Sequence, residues 1–214
     1  MVNKEVVEQI LSELNGATLV AATKYVGLEE LEGLYDLGVK TFGENKVQSF
    51  LDKYEQFKYK DVHWQFIGTL QSNKVKYIID KVELIHSVDT LSLAKEINKQ
   101  ASKHDLVMPV LIQVNISHEG TKHGFDQEEI TEVLDYIIDS CPNIQVRGFM
   151  TMAPNMEAKD TEVYFEGMEK LLKEMQEKYP EQKLDQLSMG MSNDYPYALK
   201  HGATLIRVGS KLFH

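Results

Sequence analysis

The residue best suited to covalent chemistry in this sequence is Lys24. It follows Thr23 and the apolar run Leu19 to Ala22, at a point where a β-strand is expected to end. Burial among small apolar residues disfavours the ammonium form of a lysine, and the free amine is a nucleophile that forms a Schiff base with a carbonyl compound. Lys24 is therefore the candidate for a carbonyl-binding residue. An ordinary surface lysine at a strand end is the alternative.

A second group of residues, near the carboxyl end of the chain, has the types and spacing that favour binding of an anion. The segment that begins Ser188-Met-Gly-Met-Ser predicts a strand that turns at Gly190 and enters a helix capped by Ser192 or Asn193, with free N–H groups at the helix start. Further on, Arg-Val-Gly-Ser contains Gly209, whose bare backbone allows an anion to approach closely. Together the two segments predict a phosphate site, and two ordinary glycine turns are the alternative.

Arg207 lies inside the predicted last strand and needs an acceptor, because its guanidinium stays charged. A phosphate group or a pyridine nitrogen would serve as that acceptor. An ion pair with a strand-end carboxylate such as Glu44 is the alternative.

These residues belong to a repeated alternation of short apolar runs with longer amphipathic stretches, which indicates alternating strands and helices. Eight strands are predicted, at Thr18–Ala22, Val39–Phe42, His63–Ile67, Leu84–Ser87, Val107–Val114, Gln145–Met150, Gln186–Met189 and Thr204–Val208. Helices with an apolar stripe are predicted to begin near Leu28, Lys46, Asn73, Ser92, Gln127, Thr161 and Asp194.

Eight such units in one chain predict an α/β protein, a single-domain (β/α)8 TIM barrel over residues 1–214, with about 27 residues per unit and short loops. The alternative is an open doubly wound sheet, but no G-x-G-x-x-G follows the first strand, where Lys24 and Tyr25 stand. Only Ser210–His214 follow the last strand. An extra amino-terminal helix over Asn3–Leu14 is therefore expected to cover the gap in the outer ring.

Composition excludes several classes of protein. The chain is 43% hydrophobic with a net charge of -10, which favours a globular fold and disfavours binding to duplex nucleic acid. No apolar run reaches the roughly 20 residues that span a bilayer, and the charged start is unlike a signal peptide. We therefore expect a cytoplasmic protein that does not bind membranes.

Two further groups of residues could do chemistry but are not expected to. Cys141 has no second cysteine and no evident activating neighbour, so an inert role is expected. His118, Glu119 and His123 lie in one polar loop, but their spacing is not H-E-x-x-H and no third ligand is evident. No metal site is predicted.

Five co-linear motifs resemble the pyridoxal phosphate homeostasis protein family, also called the YggS or PROSC type. The resemblance extends from about Ala17 to Phe213 and implies a barrel like the amino-terminal domain of alanine racemase, with pyridoxal 5′-phosphate (PLP) as the cofactor. The motifs are Leu-Val-Ala-Ala-Thr-Lys24, Phe42-Gly-Glu-Asn45, Phe66-Ile-Gly-Thr-Leu-Gln-Ser-Asn-Lys74, Ser188-Met-Gly-Met-Ser-x-Asp194 and Ile206-Arg-Val-Gly-Ser210.

The resemblance also implies roles for individual residues. Lys24 would form the Schiff base with PLP, and Asn45 would line the ring side of the cofactor. Ser192 would bind the phosphate, and Arg207 would lie close to the ring nitrogen or the phosphate. The full set of cofactor-binding residues that the resemblance implies is Lys24, Asn45, Ser188, Ser192, Arg207, Gly209 and Ser210, with the amides of the last two at the phosphate.

Two positions depart from the usual family pattern. Gln65 stands before Phe-Ile-Gly, where the family commonly has a histidine, and the sequence stops at Phe213-His214 without the usual glycine and basic tail. The first departure affects a local polar contact, and the second affects the end of the barrel.

A carrier of PLP and a PLP-dependent amino-acid racemase are the two leading functions. Racemisation needs an acid/base group on each face of the cofactor, and in alanine racemases the second group is a tyrosine of a carboxyl-terminal domain, which this chain is expected to lack. A positive Arg207 at the ring nitrogen would also weaken carbanion stabilisation. We therefore expect a monomer that holds PLP and supplies apoenzymes, without catalytic residues of its own. An aldolase that binds a sugar phosphate through Lys24 is a third alternative.

Overall fold

The computed structural model describes residues 1–118, 120 and 123–213. Eight strands form a closed barrel in chain order, β1 to β8, and all neighbouring strands pair in parallel. The predicted (β/α)8 barrel is thereby confirmed. The strands are β1 (Thr18–Ala22), β2 (Thr41–Glu44), β3 (His63–Phe66), β4 (Leu84–Val88), β5 (Met108–Gln113), β6 (Ile144–Met150), β7 (Gln186–Ser188) and β8 (Leu205–Val208).

Eight α-helices alternate with the strands in the described part of the chain. They are α1 (Lys4–Glu13), α2 (Leu28–Asp36), α3 (Val47–Gln56), α4 (Val75–Ile78), α5 (Leu91–Lys103), α6 (Ile130–Ser140), α7 (Glu162–Lys178) and α8 (Tyr195–Lys200). Three of them begin later than predicted, because short 3-10 turns form first at Ser72–Lys74, Gln127–Glu129 and Ala158–Thr161. No helix among the described residues has the length and apolar character needed to cross a membrane.

The alternation of side chains along each strand divides the apolar core into two layers. In β1, Leu19 and Ala21 pack in the large layer between the barrel and the helices. Val20 points the other way and packs inside the barrel with Leu84, Leu111 and three further apolar residues. Because all eight strands run parallel, their carboxyl ends meet at one mouth of the barrel, where Lys24, Asn45 and Gly209 follow three of them.

The amino-terminal helix closes the outer ring as expected. Val7 and Ile10 of α1 are buried in the core. The backbone N–H of Asn3 donates to the carbonyl of Leu212 at 2.8 Å, within the short 3-10 turn Ser210–Phe213 that follows β8. α1 therefore lies against the turn that follows β8.

The largest difference from the predicted strands concerns β2, which begins later than Val39 and continues to Glu44. Gly43 pairs with Ala22 and Gln65 inside the sheet. A Cβ atom on Gly43 would lie 2.8 Å from the Cγ1 of Val20, so this glycine is required by close packing inside the barrel and not by a turn. The predicted strand ended one residue before it, at Phe42.

Candidate functional site

Four of the predicted site residues line one cavity at the carboxyl-terminal mouth of the barrel. Lys24 follows β1, Asn45 follows β2, and Gly209 and Ser210 follow β8. The cavity has a volume of about 300 Å³, and its other walls are Ala22, Tyr25, Val26 and Phe213. The cavity combines one amine, one amide and an apolar wall, which suits a small aromatic ligand that also carries polar groups.

Lys24 itself is exposed, so the burial that was expected to free its amine is not present. Its Nζ lies 4.6 Å from the ring centroid of Tyr25. The neighbouring ammonium lowers the pKa of Tyr25 through a hydrogen bond and through its charge. Tyr25 is 85% exposed. Both side chains are exposed at the barrel mouth, and the amine is open to a carbonyl compound from solution.

A buried ion pair fixes the strand end that carries Lys24. Glu44 is fully buried and Lys53 nearly so, and the two form a salt bridge. The hydroxyl of Thr23 donates to Glu44 Oε1 at 2.5 Å, and Lys53 Nζ donates to the Thr23 carbonyl at 2.5 Å. Thr23 thereby ties β1 to β2 and α3. The alternative ion pair between Glu44 and Arg207 is wrong, because Glu44 is paired with Lys53.

The loops after β7 and β8 converge as the sequence predicted. The backbone N–H of Gly209 donates to Ser192 Oγ at 3.3 Å, and the hydroxyl of Ser210 lies 3.2 Å from the same oxygen. A Cβ atom on Gly209 would lie 3.2 Å from the carbonyl oxygen of Ala22, so the glycine allows the loop to approach β1. Two hydroxyls and one amide therefore meet at the rim of the cavity, a set of donors that suits a phosphate.

Ser192 does not cap the following helix, in contrast to the prediction. α8 begins at Tyr195, and Asp194 occupies the N-cap position. The carboxylate of Asp194 accepts a hydrogen bond from the N–H of Met191 at 2.6 Å, which closes the turn. The hydroxyl of Ser192 is thus engaged with the loop after β8. Ser192 also lines a second cavity of about 350 Å³ against residues 153–158.

Arg207 and Ser188 lie deeper, inside the barrel. Arg207 is 5% exposed, and it donates through NH1 to Ser188 Oγ at 2.5 Å and through NH2 to the Thr151 carbonyl at 2.9 Å. Burial lowers the pKa of Arg207 to about 10, an effect that the charge of Asp194 partly offsets. Arg207 forms no ion pair within the part of the chain that the structure describes. Its direct partners are neutral oxygen atoms.

His86 completes this buried group and was not among the site residues predicted from the sequence. His86 is fully buried. Its Nδ1 lies 2.8 Å from Ser188 Oγ, and its Nε2 lies 2.7 Å from Gln65 Oε1. Burial, together with the positive charge of Arg207, lowers the pKa of His86 well below its usual value. The alternation of side chains along a strand could have indicated its position, because His86 lies two residues after Leu84, which faces the barrel interior.

The remaining candidates have ordinary surroundings. Cys141 is buried at the end of α6, and burial raises the pKa of its thiol. His118 lies 3.7 Å from Asp126, and His123 lies 3.5 Å from Asp89. Glu119 falls outside the described residues, and those that are described include no cluster of three or more potential metal ligands.

Comparison with known proteins shows similarity along nearly the whole chain. The family model "Alanine racemase, N-terminal domain" matches residues 3–214. A protein of Aquifex aeolicus named pyridoxal phosphate homeostasis protein is 46% identical over 200 residues, which are 93% of this chain and 87% of that protein.

Two solved structures of PipY from Synechococcus elongatus PCC7942 are also similar to this chain. The structure without PLP has a TM-score of 0.92 at 32% identity and covers 99% of both chains. The structure with PLP bound has a TM-score of 0.89 at 31% identity, with the same coverage. The architecture is therefore shared with a protein whose PLP complex has been solved.

The buried ion pair behind Lys24 leads to a prediction about stability. Lys53→Met should lower the free energy of unfolding by about 3–5 kcal/mol, because it leaves the Glu44 carboxylate buried without a partner. Adding Glu44→Gln to that variant should recover part of the loss, because it removes the unpaired charge. Urea denaturation measures both effects.

Lys40→Met is the matched control. Lys40 pairs with Asp61 at 2.5 Å on the surface, and exposed pairs contribute about 1 kcal/mol or less. Equal losses for Lys53→Met and Lys40→Met would show that the buried pair does not hold this part of the barrel.

Proposed function

Because the chain belongs to the pyridoxal phosphate homeostasis protein family, and to the wider family of alanine racemase amino-terminal domains, we propose that it binds PLP and acts in the homeostasis of that cofactor. The observation that carries this proposal is the single cavity shared by Lys24, Asn45, Gly209 and Ser210. One PLP-binding domain would span residues 1–214.

The donor set fits the chemical groups of PLP. PLP supplies an aldehyde that reacts reversibly with a primary amine, and Lys24 offers the amine at the barrel mouth. Asn45 lines the cavity beside it and would contact the ring. Ser192, Gly209 and Ser210 would bind the phosphate, since the amide of Gly209 and the hydroxyl of Ser210 lie 3.3 Å and 3.2 Å from Ser192 Oγ.

Arg207 and Ser188 would lie beneath the pyridine ring of the bound PLP. The hydrogen-bond partners of Arg207 are neutral, and Asp194 offsets the effect of burial on its charge only in part, so a net positive charge would face the ligand. A fixed positive charge at the ring nitrogen keeps that nitrogen an acceptor and weakens the cofactor as an electron sink. This electrostatic feature supports a carrier over a racemase, and the relatives are named for the homeostasis of PLP.

We propose in addition that the protein is a cytoplasmic monomer that supplies PLP to apoenzymes. Every residue assigned to the site comes from one chain, so no partner is needed to complete it. The exposed amine of Lys24 supports release, because a competing amine from solution has a free approach to it.

The covalent role of Lys24 is tested by reducing the PLP-loaded protein with borohydride and mapping its peptides. The label should appear on Lys24. Lys24→Ala should abolish both the label and the visible absorbance of the bound cofactor, with little change in unfolding free energy, because an exposed side chain contributes little to the core. Lys74→Ala, at an exposed lysine of a neighbouring loop, is the control. A label on Lys74 in the parent protein would refute the assignment.

The phosphate site is tested by comparing PLP with pyridoxal, which lacks the phosphate. Ser192→Ala should weaken PLP binding by about 1–3 kcal/mol, because a charge-assisted hydrogen bond is lost. Gly209→Val should weaken it more by closing the approach to the backbone. Neither change should alter pyridoxal binding as strongly. Ser102→Ala, on the exposed face of α5, is the matched control, and equal affinity of the parent for PLP and pyridoxal would contradict the site.

The carrier function is tested by transfer. The loaded protein should surrender PLP to a PLP-dependent apoenzyme over minutes to hours, and light scattering should report a monomer. The same preparation should not racemise amino acids appreciably. Turnover of alanine or another amino acid with kcat of about 1–10³ s⁻¹ would overturn the carrier and favour the racemase, the function of the enzymes after which the family model is named.

A further inference from the structure

A chain of four polar side chains crosses the interior of the barrel beneath the cavity of Lys24. It runs from Gln65 in β3 through His86 in β4 and Ser188 in β7 to Arg207 in β8. All four are more than nine-tenths buried. In a barrel otherwise filled by apolar side chains, such a group is stable only when each donor finds an acceptor.

The direction of the hydrogen bonds follows from Ser188. Its oxygen accepts from Arg207 NH1 at 2.5 Å, since a guanidinium only donates. The hydroxyl proton of Ser188 then needs an acceptor, and the other polar atom at hydrogen-bond distance is His86 Nδ1, at 2.8 Å. Nδ1 must therefore be unprotonated. The proton of the neutral imidazole must lie on Nε2.

Gln65 provides the acceptor for that proton. His86 Nε2 lies 2.7 Å from Gln65 Oε1. The amide nitrogen of Gln65 makes no hydrogen bond to another described residue. It remains open to a cavity of about 290 Å³ at the amino-terminal end of the barrel, lined by Gln65 together with Thr18 and Thr41. Rotating the amide would place its N–H₂ against His86 Nε2–H, so the carbonyl is the atom that faces the histidine.

The same chain determines what Arg207 presents to a ligand. NH1 and NH2 are directed to Ser188 and Thr151, and Nε has no partner among the described residues. No unpartnered side-chain nitrogen is sealed from solvent in the described structure. Nε therefore remains available as a donor. All the hydrogen-bond partners of the guanidinium are neutral, and the charge of Asp194 compensates for its burial only in part.

We propose that Gln65, His86 and Ser188 form a positioning relay that orients Arg207 toward the ring of the bound cofactor through neutral hydrogen-bond partners alone. The relay has a single direction of donation, from Arg207 to Ser188, from Ser188 to His86 and from His86 to Gln65. This inference rests on the proposed function for the identity of the ligand. The relay itself is a property of the protein alone.

The first test uses the protein without PLP. Long-range ¹H–¹⁵N correlation spectra should show His86 as the neutral Nε2–H tautomer, with no titration near the usual histidine pKa of about 6.5. The His86 signals are assigned by their loss in His86→Asn. Gln65→Glu should convert His86 to the imidazolium near neutral pH, because a carboxylate stabilises the charged ring. An Nδ1–H tautomer in the parent protein would overturn the relay.

The second test measures binding of PLP and of pyridoxal. Gln65→Leu removes the acceptor and should weaken both ligands by the same factor, roughly tenfold, the usual scale of one hydrogen bond in a buried network. Gln65→His retains an acceptor for His86 and should restore both affinities to near the parent values. Gln100→Leu, which removes a similarly buried glutamine on α5, should change neither.

The outcomes separate the relay from the proposed function. A loss confined to PLP would show that Arg207 acts on the phosphate and would refute orientation toward the ring. Unchanged binding in Gln65→Leu, with Lys24 labelled normally, would refute the positioning role. Failure of the parent protein to bind PLP would refute the proposed function, and the tautomer of His86 would then decide the relay by itself.

Discussion

The site depends on one charge, the guanidinium of Arg207, which lies inside the barrel without an ion-pair partner among the described residues. Removing a charge from water is costly unless hydrogen bonds replace the lost hydration, and the lowered pKa of Arg207 records this cost. Ser188 and Thr151 supply two hydrogen bonds, and His86 and Gln65 hold Ser188 in place. A ligand that brings an acceptor would reduce the remaining cost, so the barrel interior is already arranged for such a ligand.

Lys24 is exposed, in contrast to the buried Arg207. Its amine stands in solvent at the barrel mouth, while the strand end below it is fixed by the buried pair of Glu44 and Lys53. A buried pair contributes little net stability compared with apolar residues, but it is costly to break, so it fixes geometry better than it stabilises the fold. The mouth therefore combines a rigidly held strand end with an accessible nucleophile. Rigid support without enclosure is suited to holding a ligand that must later leave.

The barrel and the position of most site residues could be predicted because both depend on the local pattern of apolar and polar residues in the sequence. Buried parallel strands produce short apolar runs, and residues such as Lys24 and Gly209 follow those runs directly. The features that were not predicted depend on contacts between distant parts of the chain. Ser192 bonds to Gly209 instead of capping α8, and the partner of His86 lies 102 residues further along the sequence. The exposure of Lys24 depends on the path of the chain after Thr23, which no periodicity encodes.

Gln65 shows how a single departure from a family pattern becomes interpretable once its neighbours are known. A histidine at this position would carry a second titratable ring beside His86, whereas glutamine offers a neutral acceptor at all pH values. The buried chain from Gln65 to Arg207 then contains no group other than His86 that exchanges a proton near neutrality, and burial beside Arg207 keeps His86 uncharged. The electrostatic field beneath the cavity is consequently insensitive to pH in the neutral range. For a protein proposed to hold and release a cofactor, the contribution of this chain to affinity would then stay constant across the neutral range, and a pH dependence of binding would come from groups outside it.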